Sequence, residues 1–250
     1  MKTLGIIPAR FESTRFPGKP LIDIGGKSMI QRVYQQAIKV FAEVYVATDD
    51  QRIFDHVKEF GKVIMTSPHH KTGTDRCKEA VEKILGKNTD DCIVVNIQGD
   101  EPFISEEALR SLLTVFNNPD TEVATLVKKI EDYETLFNAN TPKVIFTQNK
   151  QALYFSRTTI PFVRNAPAKE WLNHFNYYKH IGIYAFRYSV LQRLADLPQS
   201  SLELAESLEQ NRWLENGIRI FVETTEYESI AVDTPADLEK ITQLLRKNIF

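Results

Sequence analysis

Three stretches of this chain gather side chains of the kind that handle phosphate and divalent metal. The first is Pro8-Ala9-Arg10-Phe11-Glu12-Ser13-Thr14-Arg15-Phe16-Pro17-Gly18-Lys19-Pro20, which confines Arg10, Arg15 and Lys19 among Gly18 and three prolines. Arginine grips phosphate oxygens through a planar fork, and lysine supplies a point charge. Backbone N–H groups in such a loop add further donors, so the stretch suits a polyphosphate. It is neither a Walker A loop nor a dinucleotide glycine fingerprint. A solvated basic turn is the bland alternative, and three cations among restrictive Gly and Pro argue against it.

The second stretch, Asn96-Ile97-Gln98-Gly99-Asp100-Glu101-Pro102, ends an apolar run. An acid placed there and facing a cationic loop is suited to magnesium that bridges triphosphate oxygens. The third, Ile230-Ala231-Val232-Asp233-Thr234-Pro235, offers another acid after apolar residues and before a helix. Alone, Asp233 reads as a helix N-cap. Beside Asp100 it completes a pair of carboxylates able to orient a hydroxyl and an α-phosphate for in-line attack.

The elements that must position these residues alternate strand and helix. Leu4–Ile7 is a short apolar run stopped by Pro8, and Ile30, Val33, Tyr34, Ala37, Ile38 and Phe41 recur at helical spacing after Ser28. Glu43–Thr48 reads as the next strand, with Asp49-Asp50 capping a helix around Ile53–Phe60. Val63–Met65, a helix over Thr74–Leu85, the strand Cys92–Ile97, a helix opened by Ser105 and the strand Val123–Val127 follow. This rhythm predicts an α/β fold with a doubly wound, mostly parallel sheet, whose ligands bind at the carboxyl ends of the strands. The two richest polar stretches stand at such ends.

From about residue 140 the rhythm breaks. Lys143–Thr147 and Ala152–Ser156 flank a turn and predict a hairpin. Thr158–Lys179 is irregular, His180–Phe186 predicts a strand, Leu202–Glu215 one helix, Ile218–Val222 a strand, and Pro235–Lys247 a final helix with proline in its first turn. The expected organisation is one domain over 1–250, with 140–225 as an elaboration that supplies substrate contacts and a dimer surface.

Composition narrows the classes. A formal net charge of −2 advertises no basic surface for nucleic acid. No stretch approaches the roughly 20 apolar residues of a membrane span, and the N-terminal apolar run is too short for a signal peptide. Cys77 and Cys92 lack the pairing of a redox or zinc motif. The expectation is a soluble cytoplasmic protein.

The Pro8–Leu21 loop, Gln98–Pro102, Tyr154-Phe155-Ser156-Arg157-Thr158-Thr159-Ile160-Pro161, His180-Ile181-Gly182-Ile183-Tyr184, Leu208-Glu209-Gln210 and Val232–Pro235 occur in one order. In that order the chain resembles the 3-deoxy-manno-octulosonate cytidylyltransferases, or CMP-Kdo synthetases, over nearly its whole length. The resemblance implies a Rossmann-like nucleotidyltransferase fold, a homodimer, and magnesium-dependent transfer of CMP from CTP to the anomeric hydroxyl of Kdo, for lipopolysaccharide synthesis. It implies that Arg10, Ser13, Arg15 and Lys19 bind the triphosphate and that Thr74, Arg76 and Gln98 recognise the nucleotide. Asp100 and Asp233 would hold the metal, and Lys19, Arg15, Asp100 and Asp233 would carry catalysis. Arg157, His180, Tyr184, Glu206 and Gln210 would take the sugar acid. Asp75 stands where Glu is also familiar in the family, and Phe162–Tyr178 matches no family pattern.

Other polar residues invite quieter readings. His56 sits on a helix face, and His69-His70 read as solvated loop residues. Two rivals stay open: a relative with another acceptor, such as a sialic acid or a methylerythritol phosphate, and a non-catalytic nucleotide-binding regulator.

Overall fold

Four apolar runs set the frame of the N-terminal half. The computed structural model describes residues 1–12, 16–86, 92–228, 230–232 and 234–246. Strand β1 (Thr3–Ala9) has Leu4, Ile6 and Ile7 fully buried on both faces, as a strand covered by helices requires. It runs parallel to β2 (Val44–Thr48) on one side and to β4 (Ile93–Asn96) on the other, and β2 pairs in parallel with β3 (Val63–Met65). The local order is therefore β3-β2-β1-β4. The chain winds outward through β3 and then returns across β1, leaving a topological switch point between the carboxyl ends of β1 and β4. Sheets of this type bind ligands there.

Helices α1 (Met29–Ala37), α2 (Gln51–Lys58), α3 (Gly73–Leu85) and α4 (Glu106–Thr114) follow the four strands. Their starts are set by the expected side chains: Ser28 Oγ accepts from Gln31 N–H at 3.2 Å, and Asp50 Oδ1 from Arg52 N–H at 2.9 Å. Ser105 Oγ accepts from Ala108 N–H at 3.0 Å. Each such cap satisfies an N–H that the first turn leaves without a partner.

The chain contacts divide into two compact units, 1–110 with 187–195 and 229–250, and 111–186 with 196–228. The final helix, Pro235–Arg246, belongs to the first, where Val232 and Ile241 pack with Ile24 and Met29. In the second, β5 (Val123–Lys129) pairs with β8 (Tyr178–Arg187) antiparallel and β9 (Ile220–Thr224) parallel. The expected hairpin is β6 (Lys143–Phe146) with β7 (Ala152–Ser156).

One element differs from its expectation. Leu202–Glu215 is two helices, Ser201–Glu206 and Glu209–Glu215, broken at Ser207, whose φ of 51° is left-handed. The cause is competition for the helix-end carbonyls: Arg157 takes Glu206 O with Nε at 2.6 Å and Ser207 O with Nη2 at 3.3 Å. No helix of the described residues is long and apolar enough to cross a membrane.

Candidate active site

The switch point is built by close approach of two backbones. A Cβ on Gly99 would come within 2.9 Å of the Pro8 carbonyl oxygen, so only glycine lets the segment after β4 pass the end of β1. Asp100 follows directly. On the other side, the loop after β1 turns back on itself: Gly18, at φ 71°, donates its N–H to Phe11 O at 2.9 Å. Lys19 then opens a short 3₁₀ turn, Lys19–Leu21, seated by the buried Pro20. Backbone contacts at Gly18 and Gly99 thus hold the residues just before Lys19 and Asp100, and Lys19 Nζ meets Asp100 Oδ2 at 2.8 Å.

Arg10, Glu12, Lys19, Gln98 and Asp100 line a cavity of about 170 Å³ at this point. Arg10 and Glu12 also line a second cavity of about 280 Å³, together with Phe11, Asp49, Asp50 and Pro68. Arg10 Nη2 donates to the carbonyl oxygens of His70 and, at 3.4 Å, Thr72. Burial and the nearby Arg76 pull the Arg10 guanidinium below its ordinary value, while Asp49 and Asp75 oppose them. An anion on this side would relieve that cation density.

The structure brings Arg10, Lys19, Gln98 and Asp100 together, four of the residues expected at the nucleotide. Ser13, Arg15 and Asp233 lie outside the described residues. The segment before Asp233 is nevertheless tied to the site, since Val232 N–H donates to Asp100 O at 3.0 Å. Thr74 and Arg76 are placed differently, with exposures of 2% and 0%. Arg76 gives Nη1 to Thr66 Oγ1 at 2.6 Å and Nη2 to Asp49 Oδ2 at 2.8 Å, so it braces the ends of β2 and β3.

The donor chemistry fits magnesium, a hard cation that keeps several waters and takes one or two carboxylates besides substrate phosphates. Asp100 is oxygen-only and faces a cavity, and a lysine ammonium already stands against it as a cation. Among the described residues no group of three His, Cys, Asp or Glu could hold a metal on its own. A site completed by phosphate needs no such group.

The residues expected at the sugar acid all lie in the second unit. Glu206 accepts from Ser156 Oγ at 2.6 Å, Arg157 N–H at 2.9 Å and Tyr154 Oη at 3.2 Å. Burial alone would raise its carboxyl, but these hydrogen bonds and the Arg157 charge outweigh that and hold it below its ordinary value. The Arg157 loop is anchored from beneath by Lys143, whose buried ammonium donates to Asn138 O, Thr141 O and Arg157 O at 2.7–2.9 Å. His180 Nε2 lies 2.9 Å from Thr125 Oγ1, and its ring meets Phe155 edge-on at 5.1 Å and Tyr184 at 5.2 Å. Burial lowers its pKa to about 3, so the ring is neutral. The Tyr184 hydroxyl and the Gln210 amide nitrogen are buried without a hydrogen-bond partner among the described residues, and such groups are costly unless something completes them.

Sequence reasoning missed one cluster. His70, read as a solvated loop residue, is paired through Nε2 with Glu79 Oε2, nine residues on along α3. The only local signal was a histidine placed shortly before a capping Thr72.

Comparison with known proteins gives a consistent result. A family model described as cytidylyltransferase matches residues 4–220. Proteins named 3-deoxy-manno-octulosonate cytidylyltransferase are similar at 55% identity in Parabacteroides distasonis and 56% in Bacteroides thetaiotaomicron, each over 98% of this chain and 98% or 99% of its own length. The solved structure of a CMP:2-keto-3-deoxy-manno-octonic acid synthetase complexed with CTP superposes with a TM-score of 0.90 at 44% identity, covering 99% of this chain and 100% of that one. A 4-diphosphocytidyl-2C-methyl-D-erythritol synthase from Anaerococcus prevotii shares the fold, with a TM-score of 0.62 at 16% identity over 98% of each chain.

Proposed function

Because the chain belongs to the cytidylyltransferase family, we propose that it transfers CMP from CTP to the anomeric hydroxyl of 3-deoxy-D-manno-octulosonate, releasing pyrophosphate. The observation that carries this reading is the pairing of Lys19 with Asp100 at the switch point, inside a cavity that also holds Arg10 and Gln98. Cation and carboxylate meet where a sheet of this topology binds nucleotides.

The roles divide by chemistry. Arg10 and Arg15 hold phosphate oxygens, Ser13 adds a hydroxyl donor, and Lys19 neutralises charge on the departing pyrophosphate. Gln98, which lines the cavity, reads the nucleotide, and buried Arg76 holds Asp49 at the second cavity, with Thr74 buried two residues before it on α3. Asp100, with Asp233, would hold a magnesium ion, which when bound polarises the α-phosphate and lowers the pKa of the attacking hydroxyl. Arg157, His180, Tyr184, Glu206 and Gln210 take the sugar acid, with Arg157 the natural partner of its carboxylate. Both cysteines are buried, so neither is offered as a covalent nucleophile. The reaction is a direct in-line displacement governed by positioning and electrostatics.

The protein works in the cytoplasm as a homodimer and serves lipopolysaccharide synthesis. Exposed Phe137, Phe162 and Phe175 around Trp171 support a second copy as the occupant of that aromatic face. A pyrophosphate-release assay pairing each nucleoside triphosphate with Kdo, a sialic acid and methylerythritol phosphate tests the reading. Release with CTP and Kdo is expected. Silence with that pair, or equal rates with another acceptor, would overturn it.

A further inference from the structure

The expected phosphate ligand Arg10 does not hold itself in place. Its guanidinium donates to two backbone carbonyls, those of His70 and Thr72, in the loop between β3 and α3. The position of those carbonyls decides where the guanidinium points, and two separate devices fix them. At Thr72 a reciprocal cap joins loop to helix: Asp75 N–H donates to Thr72 Oγ1, and Thr72 N–H to Asp75 Oδ2, both at 3.1 Å. At His70 the device is Glu79, one turn further along α3. Its carboxylate takes the Ser67 N–H at 2.8 Å, the His70 imidazole and, through its other oxygen, Lys83 Nζ at 2.7 Å.

One carboxylate thus ties both ends of the Ser67–His70 turn to a rigid helix. Glu79 and His70 are each about four-fifths buried, so the pair is shielded enough to hold its geometry. Burial opposes ionisation of Glu79, yet Lys83, the Ser67 N–H and His70 together bring it down to about 2, so it stays a carboxylate throughout the working range.

We propose that Glu79 and His70 are positioning residues that aim Arg10 at the phosphates of the nucleotide. Neither lines the cavities that Arg10 shares with Lys19, Asp100 and Asp49. They act through the His70 carbonyl, one residue away from the ligand. The proposal rests on Arg10 as a nucleotide contact, and the experiment keeps the two apart.

Calorimetric Kd for CTP with magnesium is measured on the full chain as wild type, Arg10→Ala, Glu79→Ala, Glu79→Gln, His70→Ala and the Arg10→Ala/Glu79→Ala double variant, with KM for the sugar acid and kcat alongside. Glu79→Ala and His70→Ala should each weaken CTP about tenfold, the scale of a displaced contact, and leave KM for the sugar acid unchanged. Glu79→Gln, which keeps acceptor oxygen for the Ser67 N–H, should recover part of the loss. The double variant should bind CTP no more weakly than Arg10→Ala alone, because the route through Arg10 is already gone. Additive losses, or a lowered melting point with wild-type CTP affinity, would reduce Glu79 to a structural tie and overturn the proposal. If Glu79→Ala fails to fold, His70→Ala, alone and combined with Arg10→Ala, decides by the same two comparisons. Wild-type affinity in Arg10→Ala would instead remove the reading of Arg10 itself, and the proposal with it.

Discussion

Lys19 Nζ stands 2.8 Å from Asp100 Oδ2, with both side chains partly exposed at 16% and 28%. The pair lines an open cavity instead of the packed core, so water can take over the hydrogen bonds of either partner and its residues are held at the switch point for another reason than stability. Asp100→Asn should therefore leave the melting point nearly unchanged and cut turnover by about a hundredfold or more, a loss on the order of 3 kcal/mol in transition-state stabilisation. Asp233→Asn should match it. Pyrophosphate release at saturating magnesium checks both, and wild-type turnover in either variant would remove its assignment as a metal ligand.

The other half of the pair makes a separate prediction. If Lys19 acts mainly on the leaving pyrophosphate, Lys19→Ala should lower kcat more than it raises KM for CTP. A rise in KM alone would make Lys19 a uniform binder.

Arg76 is a cation of the opposite kind, fully buried and committed to Thr66 and Asp49. Arg76→Met leaves the Asp49 carboxylate and the Thr66 hydroxyl without their partner. Breaking a buried pair in this way costs about 3 kcal/mol. For a chain of this length that corresponds to a fall of about 6–12 °C in melting point, read by differential scanning calorimetry. A fall no larger than that of Asp100→Asn would deny Arg76 its bracing role.

That contrast shows what the sequence could and could not disclose. The β1, β2 and β4 runs were legible because a strand buried on both faces must be continuously apolar, and Ser28, Asp50 and Ser105 advertised the helix starts by local chemistry. The cationic loop and Asp100 were legible because their residue types are wasteful at a strand end unless a ligand is there. Arg76 and the break at Ser207 were not legible, since each depends on a partner far along the chain, and His70 was not, since its partner Glu79 stands on the next element. Arg76 is buried by Asp49 at a separation of 27 residues, and Ser207 is turned by Arg157 at 50. Short-range periodicity carries no trace of such pairs.

His180 supplies a pH test. Its ring titrates at about 3 in the folded chain, lowered by burial, against about 6.5 when unfolded. Between those values the unfolded chain binds the extra proton. Stability from the neutral ring is therefore complete above about pH 6.5 and is lost as pH falls toward 3. At pH 5 the loss from this group is about 2 kcal/mol, which is about 4–8 °C in melting point. His180→Gln, which cannot titrate, should lose correspondingly less melting temperature between pH 7.5 and pH 5. Equal slopes for variant and wild type would mean that the ring is solvated enough to protonate in place.

The final prediction tests the nucleotide site without needing the acceptor. Arg10, Lys19, Gln98 and Asp100 are neighbours only because β1 and β4 are adjacent in the folded sheet. In the unfolded chain more than 80 residues separate the cationic loop from Asp100, so CTP with magnesium should bind the native state alone and stabilise it by mass action. At a hundredfold excess over Kd the gain is about 2.7 kcal/mol, and the melting point should rise by about 5–11 °C. CTP should outperform ATP and GTP at equal concentration if Gln98, which lines the cavity, reads the base as proposed. Arg15→Ala should shrink the CTP shift by removing a forked phosphate contact while leaving the ligand-free melting point nearly where it was. A flat response to every nucleotide would sink the nucleotidyl-transfer reading. A clear preference for ATP or UTP would keep the fold and discard cytidine as the base, since the phosphate contacts are common to all four triphosphates and only the base side of the cavity can choose among them.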